Sequence, residues 1–295
     1  MSNTSPRARE IERQFKSMEK AATFDLTEQR ANTKDAHVLA GVPREVIQEW
    51  DTVAGTRCLR IRPARAKGDA EIIFLHGGAY CLMSAMTHHR LAGHIANVTG
   101  TEVIVPDYSL APERPYPTAR NECQAIIVER REIGPKFQCV MGDSAGGGLA
   151  LSSVCSLRDA GAQLPNLMVL MSPWLDLTLS GEAIITGCSL DPILTESNLR
   201  ACVELYCTPS ETELPGVSPL FAALHGLPPT LVQAASKDLV RDDAIRLSQL
   251  WPDDGLSLRT YDDMLHSFQM FAGDMPEADE ALQDAADFVQ TILRQ

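Results

Sequence analysis

Gly142-Asp143-Ser144-Ala145-Gly146 stands between the apolar run Gln138 to Met141 and a stretch of helical character from 145 to 160 that ends at Gly161. A G-x-S-x-G pattern between a strand and a helix is a nucleophile elbow, a sharp turn that exposes the serine hydroxyl at the end of a sheet. The small residues have a mechanical reason. The turn holds the serine backbone in a sparsely populated conformation, and a Cβ at either flanking glycine would collide with neighbouring backbone. Amides at the start of the following helix favour negative charge at the serine. Alone, five residues with two free positions are a weak signal, and a Gly-rich turn of this kind also cradles phosphate. Position 148, however, is Gly where a P-loop requires Lys, and no G-x-G-x-x-G can be drawn.

On both sides of the elbow, short apolar runs alternate with helical patterns. Glu71 to Leu75, Glu102 to Val105, Gln138 to Met141, Asn166 to Met171, Thr230 to Ala234 and Leu256 to Tyr261 read as strands. Helices are expected near 87 to 99, 118 to 133, 145 to 160, 239 to 250 and 277 to 293. This alternation predicts an α/β protein with a mostly parallel sheet covered on both faces. Two parts break the pattern. Leu179 to Leu220 is long, rich in Gly, Pro, Ser and Thr, and holds one helical stretch near Thr195 to Cys207; a connection of this length is more often a lid than a plain loop. Near the start, Ile11, Phe15, Met18 and Ala22 form one face of an amphipathic helix that needs an apolar surface to lie on.

The chain has 295 residues, 44% apolar and 22% charged, which excludes collagen-like, disordered and membrane-spanning classes. A net charge of −13 disfavours nucleic acid and anionic membrane surfaces as partners. Residues 1 to 70 carry 13 basic and 10 acidic side chains, so the acidity belongs to the remainder. No apolar run reaches transmembrane length, and Glu10, Glu12, Arg13, Lys16, Glu19 and Lys20 interrupt any signal-peptide core. A cytoplasmic location is expected. Eight cysteines, at 58, 81, 123, 139, 155, 188, 202 and 207, lie in apolar contexts without a C-x-x-C pair and read as buried, reduced thiols.

A second motif, His76-Gly77-Gly78-Ala79-Tyr80, directly follows the run Glu71 to Leu75. Adjacent glycines at a strand end let bare amides approach a ligand oxygen, as an oxyanion hole requires. An ordinary Gly-Gly turn is the competing reading, and it loses force once the elbow follows downstream. Together with Asp107-Tyr108-Ser109-Leu110-Ala111-Pro112-Glu113, Gly142 to Gly147, Ser172-Pro173-Trp174 and a late Asp and His in that order, the set resembles the hormone-sensitive-lipase-like esterases of the α/β-hydrolase fold. The resemblance runs from about residue 50 to the C-terminus. It implies hydrolysis of carboxylic esters of short acyl chains, under a cap made from N-terminal helices and an insertion after the sixth strand. The expected plan is cap helices in 1–45, a catalytic domain in 46–295, and a cap insertion at about 179–220. Two residues depart from the family pattern: Ala79, where many members have a third glycine, and Ser109, where many have arginine.

In this fold the order is Ser, then Asp or Glu, then His. Of seven histidines, His225 and His266 lie beyond the elbow; His266 follows a predicted strand, whereas His225 precedes one. His88, His89 and His94 share a predicted helix without metal-site pairing and read as surface or helix-packing residues. Asp238 follows the run Thr230 to Ala234 through a short turn and matches the family's acid; Asp242 is the competing acid, or a support of that loop, and Asp262 and Asp263 read as solvated turn residues. The expected machinery is therefore Ser144, His266 and Asp238, with the amides of Gly77, Gly78 and Ala145 as oxyanion hole, and neither cofactor nor metal. Lactone or amide hydrolysis would use the same serine. From another class, the scaffold serves as a small-molecule receptor when its histidine is lost, which His266 argues against. Leu256 to Tyr261, as an exposed edge strand, is the expected contact of a homodimer.

Overall fold

The computed structural model describes residues 4–18, 23–66, 69–187 and 190–294. Eight strands form its sheet: β1 (Val46–Val53), β2 (Thr56–Pro63), β3 (Ala70–Leu75), β4 (Glu102–Pro106), β5 (Phe137–Asp143), β6 (Leu167–Met171), β7 (Thr230–Ala235) and β8 (Leu256–Tyr261). Their order is β1-β2-β4-β3-β5-β6-β7-β8; β2 pairs antiparallel with β1 and β4, and every other pairing is parallel. Successive strand residues point to opposite faces. Ile73, Leu75, Val140, Met168 and Leu170 therefore enter one core, with α4 (Thr118–Ile133), α5 (Ala145–Asp159) and α8 (Arg241–Leu250). Ile72, Phe74, Cys139, Met141 and Val169 enter the other, with α3 (His89–Thr99) and α9 (Pro276–Leu293). Burial on both faces explains the apolar runs of β3, from 72 to 75, and of β5, from 139 to 141. The seven cysteines within the described residues are free and buried; Cys188 lies outside them.

The β1–β2 hairpin was not expected from the periodicity. Nearly all of β1 is exposed, so its side chains show no alternation to read. The available signal is the turn: Ala54 and Gly55 both have positive φ, 49° and 79°, as a two-residue type I′ hairpin requires. Arg57 lies over the Trp50 ring at 3.5 Å, and Arg60 binds Asp51 and Glu102, tying β1 through β2 to β4.

At the N-terminus, Ser5 caps α1 (Pro6–Ser17) through the Ala8 amide. Ile11 is buried against Met264, Leu265, Phe268, Phe271 and Met275, and Phe15 meets the Phe271 ring edge-on at 6.0 Å. Met18, expected on this face, is exposed because the helix ends at Ser17; Ala22 lies outside the described residues. From α2 (Leu26–Thr33), Arg30 reaches the carbonyls of Cys81 and Ala111 and the Glu113 carboxylate. Between β6 and β7 the chain leaves the sheet and forms α6 (Glu182–Ile185) and α7 (Glu196–Tyr206).

The chain passes from β3 to β4 on one side of the sheet and from β5 to β6 on the other. The crevice between the carboxyl ends of β3 and β5 is thus a topological switch point, the place where open α/β sheets hold ligands. Backbone closes tightly here: a Cβ on Gly146 would overlap the Leu75 carbonyl oxygen and lie 2.6 Å from that of His76. Gly146→Ala is expected to lose about 3 kcal/mol. Gly161→Ala, at φ +67° with open space around it, is expected to lose about 1 kcal/mol. Urea unfolding midpoints check the contrast, and equal losses would contradict the close-approach argument.

Candidate active site

Ser144 directly follows β5 and holds the N-cap position of α5 with φ 52° and ψ −122°, a conformation that costs a non-glycine residue roughly 1–3 kcal/mol. It persists because both sides of its peptide unit are held. The Ser144 amide donates to the Met171 carbonyl at 3.0 Å, and the Ser144 carbonyl accepts from Gly148 at 3.2 Å and Trp174 at 3.0 Å. The glycines leave the turn no alternative, since a Cβ on Gly142 would overlap the Gly146 carbonyl.

His266 follows β8 and Asp238 follows β7, so parallel pairing delivers both to the edge of the sheet where β5 ends. His266 Nε2 lies 2.8 Å from Ser144 Oγ, and its Nδ1 lies 2.9 Å from Asp238 Oδ2. A carboxylate only accepts, so Nδ1 carries the imidazole proton and Nε2 accepts from the serine hydroxyl. The other oxygen of Asp238 accepts from the Val240 amide at 2.9 Å. All three side chains are buried. Burial works against a charged His266, but Asp238, then Asp191 and Asp143, overcome it and hold the imidazole above its ordinary value of 6.5.

The three expected oxyanion donors do not fare alike. The Gly77 amide donates to Asp143 Oδ1 at 2.8 Å and is committed. A Cβ at Gly77 would overlap the Asp143 carboxylate, so this glycine serves close approach to an anion inside the protein. Among the described residues, the amides of Gly78 and of Ala145, the first residue of α5, have no acceptor. Gly78 has φ 121°, and a Cβ there would overlap the Leu82 carbonyl. Ala79 departs from the family glycine in a left-handed conformation, φ 51°, that alanine adopts at modest cost. Ser109 donates its hydroxyl and its amide to Glu122.

Behind the serine lies a buried network that sequence reasoning missed. His88, expected at the surface or packing on its helix, is fully buried, with Nε2 3.3 Å from Asp143 Oδ1 but without hydrogen-bond alignment. Asp143 also accepts from Ser267 Oγ at 3.2 Å. Burial opposes ionisation of Asp143, yet His88 and the Gly77 amide bring it below the ordinary carboxylate range. His76 stacks on Tyr108 at 4.1 Å, and burial and His88 push its pKa down to about 3. The motif contained Asp143 as a free position; its partners come from distant loops, which no local spacing reveals. Asp242 accepts from the Ala183 amide at 2.6 Å and so holds α6. Asp263, expected to be solvated, lies 3.3 Å from Lys237 and accepts from Thr4. No cluster of three or more His, Cys, Asp or Glu among the described residues has metal-site geometry, and none of their helices is long and apolar enough to cross a membrane.

The profile of a family described as alpha/beta hydrolase fold matches residues 72–270. The solved structure of an esterase from the bacterial hormone-sensitive lipase family superposes with a TM-score of 0.91 over 99% of both chains, at 30% identity. The chain belongs to the α/β-hydrolase family, in its hormone-sensitive-lipase-like branch. Among other members, it is 39% identical to an esterase of Acinetobacter venetianus over 81% of this chain and 80% of that one. It is 34% identical to an acetyl-hydrolase of Streptomyces hygroscopicus over 78% of each chain.

For this α/β-hydrolase, only the neutral His266 can accept the serine proton. Modification of Ser144 by a fluorophosphonate should therefore slow as pH falls, with a midpoint above 6.5 because the imidazole is held above that value. Labelling kinetics across pH check this, and a midpoint well below 6.5 would contradict it.

Proposed function

We propose that the protein is a serine carboxylesterase that hydrolyses short-acyl esters through an acyl-enzyme, with Ser144 as nucleophile, His266 as general base and Asp238 as its orienting acid. The observation that carries this reading is the hydrogen-bond chain from Ser144 Oγ through His266 to Asp238, at 2.8 and 2.9 Å. As Ser144 attacks the acyl carbon, His266 takes its proton, and Asp238 stabilises the imidazolium. The Gly78 and Ala145 amides, at the positive end of α5, receive the developing oxyanion; Gly77 supports them by anchoring the loop to Asp143. The alcohol leaves with the proton from His266, and water activated by the same imidazole releases the acid. Relatives named acetyl-hydrolase and esterase support a short acyl group. The Ser144–His266 hydrogen bond favours hydrolysis over a receptor role.

We assign residues 1–45 and 179–220 to the cover of this site and 46–295 to the catalytic body. Tyr206 of α7 stacks at 4.0 Å on Tyr80, just past the oxyanion loop, and α1 rests on Met264 and Leu265, directly before His266. We place the protein in the cytoplasm, with no nucleic-acid partner. A homodimer contact is assigned to β8, at one edge of the sheet.

Ser144→Ala and His266→Ala are expected to lower kcat on p-nitrophenyl acetate on the order of 10⁶-fold, and Asp238→Asn on the order of 10⁴-fold. A panel of acyl lengths, with a lactone and an anilide included, should show the highest kcat/KM for the shortest esters. A chelator should leave the rate unchanged. Ordinary turnover by Ser144→Ala would overturn the proposal.

A further inference from the structure

Three carboxylates act on the His266 imidazole from three elements: Asp238 from the turn after β7, Asp143 from the end of β5, and Asp191 from the segment joining α6 to α7. The chemistry described so far gives Asp191 no task. Its side chain is buried, with Oδ1 accepting from the Ile193 amide at 2.7 Å and the Leu194 amide at 3.2 Å. Its Oδ2 crosses to the turn after β7 and accepts from the Leu239 amide at 3.1 Å. Leu239 follows Asp238, whose own Oδ1 takes the next amide, that of Val240, at 2.9 Å. Consecutive amides of one turn are thus divided between two carboxylates, one from the insertion and one that is the partner of His266.

Burying a second carboxylate there is unfavourable. Burial, then the neighbouring Asp238, push Asp191 above the ordinary carboxylate range, offset by His266 and the amides it accepts from. Joining the two segments takes both carboxylate oxygens, Oδ1 on the Ile193 and Leu194 amides and Oδ2 on the Leu239 amide, which an amide side chain with a single acceptor oxygen cannot supply. We propose that Asp191 is a positioning residue for the hydrolytic reaction: it clamps the turn that carries Asp238 and supplies a second negative charge toward the His266 imidazolium, tying the base to the insertion. This rests on the assignment of Ser144, His266 and Asp238 above. The other charges around the imidazole are Asp143, faced by His88, and the positive end of α5. Lys237, next to Asp238, is engaged with Glu12 at 2.9 Å and Asp263 at 3.3 Å.

The test is the pH dependence of kcat/KM on p-nitrophenyl acetate for the full chain, Asp191→Asn and Asp191→Glu. Asp191→Asn removes the charge and one of the two acceptor oxygens, so it loses both the clamp and the negative charge. It should lower kcat on the order of tenfold with KM nearly unchanged, and move the acid-limb midpoint down by on the order of half a pH unit. Asp191→Glu should keep the midpoint of the parent. An unmoved midpoint in Asp191→Asn, or equal displacement in both variants, would overturn the proposal. If Asp191→Asn fails to fold, Asp191→Glu decides: a parental midpoint supports the proposal and a displaced one overturns it. Activity surviving in Ser144→Ala or His266→Ala would instead overturn the underlying assignment, so the two failures are distinguishable.

Discussion

The contact of Gly146 with the carbonyls of Leu75 and His76 is the constraint on which the site depends. It presses the start of α5 against the end of β3 and so closes the switch point of the sheet from both sides. Ser144 is left no relaxed conformation between β5 and α5, and its hydroxyl is directed to the carboxyl edge where the loops after β7 and β8 arrive. The same closeness brings the Gly77–Gly78 turn over the elbow, with Asp143 as the tie between the two. The Ser144 hydroxyl and the Gly78 and Ala145 amides are thereby set by close backbone packing, which yields little.

Negative charge is concentrated around this frame, and its burial demands compensation. Asp143 is met by the Gly77 amide, Ser267 and His88; Asp238 by the Val240 amide and His266; Asp191 by amides from its own segment and from the Asp238 turn. The charges that remain unbalanced favour a protonated His266, the species that the proposed attack by Ser144 would form. Stabilisation that is strongest when the imidazolium forms is stabilisation of the transition state.

What the sequence made legible follows from local periodicity and local turn chemistry. The strands buried on both faces announced themselves as apolar runs, and the two glycine motifs marked the ends of β3 and β5. Ser144, Asp238 and His266 could be singled out because each follows a predicted strand and because the resemblance to the hormone-sensitive-lipase-like esterases implies an acid and a base at the latter two. The hairpin of β1 and β2 escaped notice because an exposed edge strand such as β1 carries no burial pattern. His88 was read as a surface or helix-packing residue; its place beside Asp143 could not be read because that partner lies 55 residues away at the end of β5. Gly77 was taken for an oxyanion donor because its conformational freedom is visible in sequence, whereas the Asp143 carboxylate that occupies its amide is not. Asp191 lay in an irregular segment whose route back to the Asp238 turn only the fold reveals.

The central claim is that Ser144, activated by His266, forms a covalent acyl intermediate. Acid quenching of the enzyme during turnover of p-nitrophenyl acetate, followed by peptide mass analysis, tests it directly. The account predicts one acetyl group on the peptide containing Ser144, absent from His266→Ala under the same quench. Turnover with an unmodified Ser144 peptide under burst conditions, or an acetyl group on another residue that forms and decays at the catalytic rate, would contradict it.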